Sequence, residues 1–354
     1  MSGGSTVDWG LAGKVARTVA GGERSGLALG RAGLQSIGER TLADVLAYTG
    51  LEPRAATPAP ELVDRRAWIA ANLEDLRGLA EPLERLIADS GSLPGPLAPL
   101  GRGALGAAAG VEAGVAVGYA ARRVVGQLRV ALDGSDRPPG LMIVSANARS
   151  VAEQIGAGEA RFVEWVLLHE QTHAVQFAAV PWLRGHLSGL LRELIEAASA
   201  DLDLGRIAGG LKRALFSDPR ETLGKALRGE LTRALAGPRQ AELLDRIQGT
   251  MSVLEGYAEH VMDAATAADA ELAAMRANLD ARRARTGLGA AIARALGLGM
   301  KLEQYERGKR FCDAVAERAG IEGLNRVWDG PEALPTLAEL DEPESWLARA
   351  GATA

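Results

Sequence analysis

Apolar side chains recur every three or four residues along most of this chain, with polar residues between them. This spacing predicts amphipathic helices, because it places the apolar positions on one face of a 3.6-residue turn. In the first half of the chain, the pattern predicts helices over residues 7–18, 30–49, 60–88 and 104–132. In the second half, it predicts helices over residues 158–179, 250–285 and 301–319, the first of which ends before Pro181. The predicted buried stripe of the 158–179 helix consists of Phe162, Val163, Val166, Leu167 and Ala174.

Strand signals are few, and the best is the apolar run 140–144 after the turn-rich stretch 133–139. This strand could offer an edge to an extended peptide, although an ordinary buried strand is the favoured interpretation. Aromatic residues make up 4% of the chain and glycine alone accounts for 44 residues, which suits closely packed helices better than a β-sandwich. We therefore predict a mainly α fold with a few short strands. No repeat or linker interrupts the chain, so a boundary between an N-terminal helical region, 1–125, and a second region, 126–354, is soft.

Composition and charge exclude several classes of function. The net charge of −5 is mild and mixed along the chain, which argues against a nucleic-acid partner. Cys312 is the only cysteine, so no internal disulfide can form, and a reducing compartment is expected. The polar stretch 1–8 does not resemble a secretion signal. Segment 103–121 is rich in glycine and alanine but carries Glu112, which favours a buried helix over stable membrane insertion. We expect a cytoplasmic protein.

The chain has four histidines, and two of them occur in a His-Glu-x-x-His motif within the predicted 158–179 helix. A spacing of four residues places His169 and His173 on the same helix face, about 5–6 Å apart at Cβ. Two imidazoles at this separation can share one tetrahedral Zn²⁺, with Glu170 beside the metal as a proton acceptor. The alternative is a pair of structural histidines beside a buried glutamate, which is costly without a metal.

A catalytic zinc site normally has three protein ligands. Gln176 and Ala179 stand where the extended metzincin motif has glycine and histidine, so that arrangement is excluded. The remaining candidates for the third ligand are His186, Asp201, Glu255, Glu259 and His260.

Glu255 is the preferred third ligand. Glu255 and Glu259 lie four residues apart at the border of the apolar stripe in the predicted 250–285 helix. A partly buried acidic pair requires positive compensation, which zinc and its histidine ligands supply. Gly256 permits the close approach of a second backbone, and Glu259 could accept a hydrogen bond from a ligand histidine. The alternative is a pair of salt bridges to nearby Lys or Arg, and His186 fits a capping or core histidine equally well.

The spacing of Glu255 and Glu259 downstream of His-Glu-x-x-His resembles the gluzincin arrangement. Wider parts of the chain resemble a bacterial family of zincin-like metallohydrolases, often labelled by association with deazaflavin-coenzyme biosynthesis. The segments that carry this resemblance are 7–9, 162–177, 181–183, 251–263, 301–308, 327–328, 334–336 and 343–349. The resemblance covers most of the chain and implies a largely helical zincin-like fold. The chain departs from the family at residues 127–129, which read Gln-Leu-Arg where Gln-Tyr-Asp is expected.

The resemblance implies that His169, His173 and Glu255 bind one zinc ion per chain. It further implies that Glu170 is the general base in the hydrolysis of a peptide or another amide by metal-activated water. A second hypothesis is a non-catalytic zinc-binding helical protein that serves a partner, with a fourth ligand position closed by another side chain. A third is a membrane-associated protease that uses segment 103–121.

Such hydrolases usually carry an auxiliary donor that stabilises the oxyanion. Tyr305 is the preferred candidate, because it lies in the polar segment 304–308. Tyr257 and His260 are the alternatives.

Overall fold

A computed structural model describes residues 7–23, 25–89, 98–200, 237–286 and 301–351 of the chain. The helices are α1 (Trp9–Ala20), α2 (Arg31–Thr49), α3 (Arg65–Asp89), α4 (Ala98–Ala121), α5 (Ser145–Ile155), α6 (Glu159–Ala179), α7 (Pro181–Ala200), α8 (Pro238–Thr266), α9 (Ala270–Thr286), α10 (Lys301–Asn325), α11 (Leu337–Asp341) and α12 (Pro343–Ala350). Two short 3₁₀ turns, Arg326–Trp328 and Pro331–Ala333, connect α10 to α11. The mainly α fold with a few short strands is therefore confirmed.

The described strands form one small sheet in the order β1-β3-β2, where β1 is Pro60–Val63, β2 is Gly126–Arg129 and β3 is Gly140–Val144. Strand β1 pairs with β3 in parallel, and β2 pairs with β3 antiparallel. The predicted strand at 140–144 is confirmed, but it is the central strand. The idea that it offers an edge to a peptide is therefore wrong, because both of its edges are paired.

Two predicted helices contain strands. Residues 60–63 of the predicted 60–88 helix form β1, and α3 begins only at Arg65, because the Asp64 side chain accepts a hydrogen bond from the N–H of Ala67 at 2.6 Å. The predicted 104–132 helix ends at Ala121, and β2 follows it. Both strands have four residues, which is too short for their alternation to be told apart from a helical pattern.

Helix α6 lies at the centre of the main hydrophobic core and packs against both α2 and α8, which also contact each other. All five residues of its predicted stripe are buried, which confirms that part of the pattern. A smaller apolar cluster joins α1, α3 and α4 to one face of the sheet. Because β1 pairs with β3 and α2 packs on α6, residues from both sides of the predicted boundary near 125 share one sheet and one core.

Helices α1 and α4 pack backbone against backbone. A Cβ at Gly110, Gly114 or Gly118 would lie 2.5 Å from a carbonyl oxygen at or beside α1, so only glycine fits at these three positions. This close packing explains the glycine-rich composition of segment 103–121. Among the described helices, none has the length and apolar character needed to cross a lipid bilayer.

The predicted helix over 250–285 is two helices. Helix α8 begins earlier, at Pro238, and ends at Thr266; α9 then begins at Ala270. The break occurs at Asp269, whose carboxylate accepts hydrogen bonds from the N–H groups of Glu271 and Leu272 and pairs with Arg161 of α6. These contacts favour a new helix start over continuation of α8. Residues 201–236, which follow α7, lie outside the described residues.

Candidate metal centre

The two histidines of the motif lie side by side on α6. Their ring centroids are 4.7 Å apart with the planes nearly perpendicular, and their Nε2 atoms are 3.2 Å apart. Both rings line the floor of a cleft. The side chain of His169 is 21% exposed and that of His173 is 12% exposed. The four-residue spacing therefore produces two imidazole nitrogens that converge on one point.

Glu255 reaches the same point from α8. Its Oε2 atom lies 3.5 Å from His169 Nε2 and 3.7 Å from His173 Nε2. A tetrahedral zinc site with bonds of about 2.0–2.2 Å separates its ligand atoms by about 3.3–3.6 Å. Two nitrogens and one carboxylate oxygen at these separations fit zinc in chemistry and in geometry. Among the described residues, this is the group of His, Cys, Asp and Glu side chains that could hold a metal ion.

Electrostatics at this site favour a cation. Burial alone would lower the pKa of His173, but the hydrogen bond and charge of Glu255, with the charge of Glu170, raise it to about 9. Burial alone would raise the pKa of Glu255, but hydrogen bonds and charges from His169 and His173 hold it well below its usual range. The Glu255 carboxylate and the two imidazoles thus stabilise a shared positive charge at their centre, and a divalent cation can take the place of the proton held there.

Glu170 lies beside the three converging side chains and against strand β2. The Leu128 N–H donates a 2.7 Å hydrogen bond to Glu170 Oε2, and the side chain of Glu170 is almost fully buried. A Cβ at Gly126 would lie 2.9 Å from Glu170 Cγ, so glycine at this position lets the strand approach the carboxylate. Residues 127–129, where the chain departs from the family pattern, therefore form the strand that positions the motif glutamate.

Gln176 is a further residue at the site, and the sequence patterns identified it only as a departure from the metzincin motif. It is fully buried, its Oε1 is 2.8 Å from Nδ1 of His173, and its Nε2 donates to the carbonyl oxygen of Leu254 at 3.2 Å. Its position three residues after His173, on a helix that is mostly apolar, is the signal that could have singled it out.

Glu259 is predicted to accept a hydrogen bond from a ligand histidine; at His173, the Nδ1 atom faces Gln176. Glu259 forms a 2.7 Å ion pair with Arg276 of α9. A salt bridge was the alternative interpretation for the pair Glu255 and Glu259, and it is observed for Glu259. The predicted close approach at Gly256 occurs, and the backbone it meets is that of Gly308 on α10.

The other histidines lie away from the converging group. His186 packs edge-on against Trp182, with ring centroids 5.7 Å apart, and burial lowers its pKa. His260 is held between two partners, with Nδ1 2.8 Å from Asp313 and Nε2 2.8 Å from the Tyr48 hydroxyl. Neither imidazole joins His169, His173 and Glu255 as a fourth ligand.

Two candidates fall outside what the structure describes. Asp201 lies outside the described residues, and Tyr305 lies in α10 at a position whose side chain is also outside them. Tyr257, an alternative oxyanion donor, is fully buried and donates its hydroxyl to Asn325 Oδ1 at 2.6 Å. Tyr257 therefore serves the packing of α8 against the end of α10.

A cleft of about 460 Å³ opens over the converging group. Its apolar lining comprises Leu76, Leu79, Leu128, Val130, Leu132, Phe177, Leu187, Met251 and Leu254. The charged side chains in its wall are paired with one another: Arg129 contacts Asp75 at 2.7 Å, and Arg137 contacts Asp75 at 2.6 Å and Asp133 at 2.5 Å. The cleft therefore presents an apolar surface next to the converging histidines and Glu255.

The chain is similar to known proteins both in sequence and in fold. The family model described as zincin-like metallopeptidase matches residues 7–347. A crystal structure of a "putative hydrolase with a novel fold" from Chloroflexus aurantiacus is 28% identical, covers 98% of this chain and 100% of its own, and has a TM-score of 0.71. No curated protein matches the sequence. The association with deazaflavin-coenzyme biosynthesis stays a prediction. The match extends over nearly the whole length, and the chain belongs to the zincin-like metallopeptidase family.

Proposed function

We propose that this protein is a zinc-dependent metallopeptidase that cleaves peptide or closely related amide bonds, with one zinc ion per chain. His169, His173 and Glu255 would hold the ion. The observation that carries the proposal is the convergence of these three ligand atoms, 3.2–3.7 Å apart, from two helices that are distant in sequence. Family membership supports a metallohydrolase independently of this geometry.

Zinc, when bound here, supplies a Lewis acid that polarises the scissile carbonyl and makes water more acidic. Glu170 is the general base: it accepts the proton of the attacking water and returns it to the leaving amine. The hydrogen bond from the Leu128 N–H holds the Glu170 carboxylate in place for this transfer.

The described cleft supports a peptide with an apolar side chain as the substrate. Among the described strands, β2 pairs with β3 alone and lines the cleft, so the backbone groups of its other edge that Glu170 does not occupy can bind an extended peptide. Phe177, Leu187 and Met251 offer an apolar surface to a substrate side chain. The charges in the wall neutralise one another, so the cleft offers no unpaired partner to a charged side chain at the positions described.

Tyr305 stays the proposed donor to the oxyanion. It lies one helical turn before Gly308. The backbone of Gly308 contacts α8 at Gly256, which directly follows Glu255. Replacement of Tyr305 by Phe would remove the hydroxyl alone and should lower kcat while zinc affinity is unchanged.

The decisive experiment compares Glu170→Gln with the parental protein. Both are loaded with zinc, their zinc content is measured, and each is assayed against a mixture of peptides with apolar side chains. We expect full zinc occupancy in both and a fall of about 10²–10⁴-fold in kcat/KM for Glu170→Gln, the usual contribution of a general base. Glu164→Gln is the matched control, because Glu164 lies on the same helix and pairs with Arg161 instead.

Hydrolysis by Glu170→Gln at the parental rate would contradict the proposed mechanism. A silent Glu170→Gln, combined with unfolding when zinc is removed, would instead favour the non-catalytic zinc-binding protein.

A further inference from the structure

Gln176 is a buried amide placed between the two halves of the metal centre. It lies on α6, three residues after His173, and no part of it is exposed to solvent. Its Oε1 is 2.8 Å from Nδ1 of His173, and its Nε2 is 3.2 Å from the carbonyl oxygen of Leu254. Leu254 directly precedes Glu255 in the chain, so one side chain contacts the histidine on one helix and the backbone beside the carboxylate on the other.

The Leu254 contact determines which way the amide points. A carbonyl oxygen can only accept a hydrogen bond, so the Gln176 NH₂ group must face it. The Gln176 Oε1 atom then faces Nδ1 of His173, and an amide oxygen can only accept. Nδ1 must therefore carry a hydrogen, and in the neutral ring the lone pair lies on Nε2.

The opposite orientation would disable the site. A flipped amide would place two acceptor oxygens against each other at Leu254 and would donate to Nδ1 of His173. That contact favours the tautomer with its hydrogen on Nε2, which is the atom that lies 3.7 Å from Glu255. A hydrogen on Nε2 occupies the position that a metal ion requires.

Packing alone does not require glutamine at this position. Leucine has a similar size and fills a buried position without placing an amide away from water. The same helix offers a direct comparison in Gln171, which is 2% exposed and bridges α6 to α2 through Gly38 and Thr41. Gln171 thus has the same chemistry and burial, but its partners are on α2 and include neither a motif histidine nor the backbone beside Glu255.

We propose that Gln176 is a positioning residue that holds His173 in its metal-binding tautomer and sets its distance from Glu255. This inference rests on the proposed zinc site and adds a residue through which that site is preorganised. Outer-shell partners of this kind change metal affinity by about 10–100-fold when they are removed.

The test measures zinc affinity by chelator competition in four full-length proteins: parental, Gln176→Leu, Gln176→Glu and Gln171→Leu. We expect Gln176→Leu to bind zinc about 10–100-fold more weakly. Gln171→Leu should stay within about 3-fold of the parental protein, although it also loses a buried amide bridge. Gln176→Glu keeps an oxygen that accepts from Nδ1 but sets a second acceptor oxygen against the Leu254 carbonyl, so it should recover only part of the lost affinity.

A second readout does not depend on affinity. In ¹⁵N NMR of the zinc-loaded parental protein, we expect metal coordination at Nε2 of His173 and a slowly exchanging Nδ1 hydrogen. That hydrogen should exchange faster in Gln176→Leu and stay slow in Gln171→Leu.

The inference is overturned if Gln176→Leu binds zinc like the parental protein, if Gln171→Leu loses as much affinity, or if Gln176→Glu binds as weakly as Gln176→Leu. Should Gln176→Leu fail to fold, the comparison of Gln176→Glu with Gln171→Leu and the NMR of the parental protein decide the question. A parental protein that does not bind zinc would overturn the proposed function itself.

Discussion

Helix α8 carries two contacts between a histidine and a carboxylate, and they differ in what they can bind. At one, Glu255 faces His169 and His173 across the cleft. At the other, five residues further along, His260 contacts Asp313 of α10 at 2.8 Å. The residue types are the same, and both places are partly buried.

The difference lies in the remaining partners. Both ring nitrogens of His260 are occupied, by Asp313 and by the Tyr48 hydroxyl, and Lys309 neutralises Asp313 at 2.5 Å. At Glu255, two nitrogens and an oxygen point at a common position instead. The comparison shows that a metal site requires ligand atoms that converge, and that a histidine beside a carboxylate is only a structural contact when each atom already has another partner.

The largest expected effect is the loss of zinc on replacement of Glu255. Glu255→Gln removes one of three ligands and should weaken zinc binding by more than about 100-fold, because removal of an outer-shell partner alone costs about 10–100-fold. Asp313→Asn is the matched change at the second contact and should leave zinc affinity within about 3-fold. Chelator competition measures both zinc affinities. Equal losses of zinc affinity in the two variants would contradict the difference between the Glu255 contact and the Asp313 contact.

A smaller effect is expected in the acid stability of Asp313→Asn. Burial alone would raise the pKa of Asp313, but hydrogen bonds from His260 and Lys309 lower it below its ordinary value. A depressed carboxyl pKa stabilises the folded state above the unfolded value, near 4, and this stabilisation is lost as pH falls through the folded pKa.

Asp313→Asn should therefore lose about 1–2 kcal/mol of stability at pH 7, a figure reduced for the 43% exposure of the Asp313 side chain. The difference from the parental protein should shrink below pH 4. Urea unfolding at pH 7 and pH 3 measures it, and a difference that grows in acid would contradict the assignment.

The smallest effect is expected for Tyr48→Phe. This change removes the hydroxyl 2.8 Å from His260 Nε2 and should cost about 0.5–1.5 kcal/mol, the net contribution of one hydrogen bond. Zinc affinity and peptide hydrolysis should be unchanged, because Tyr48 contacts neither Glu255 nor the motif histidines in the described structure. Thermal unfolding with and without zinc tests this, and altered zinc affinity would mean that the two contacts are coupled.

The spacing of apolar residues predicted the structure correctly where the outcome depended on a single helix. The motif helix predicted over 158–179 is observed as Glu159–Ala179, and its apolar stripe is buried. A helix repeats every 3.6 residues, so the residues that share a face can be assigned from spacing alone. The same reasoning placed His169 and His173 together and identified Glu255 and Glu259 as a partly buried acidic pair that requires positive compensation.

Sequence spacing was insufficient wherever a partner is distant in the chain. Strands β1 and β2 exist because they pair with β3, about 80 and 15 residues away, and neither has enough residues to show its own period. The break between α8 and α9 depends on the contact of Asp269 with Arg161. Glu259 could be assigned either to zinc or to a salt bridge until Arg276 was placed beside it.

The amino-acid sequence by itself determined the chemistry available to this protein: two imidazoles on one helix face, a carboxylate between them and an apolar helical framework. Only the tertiary structure decided that Glu255 completes the group, that β2 supports Glu170, and that Gln176 connects His173 to the opposite helix. The physical reason is that helix periodicity is a property of neighbouring residues, whereas the convergence of ligand atoms depends on how helices distant in sequence pack together.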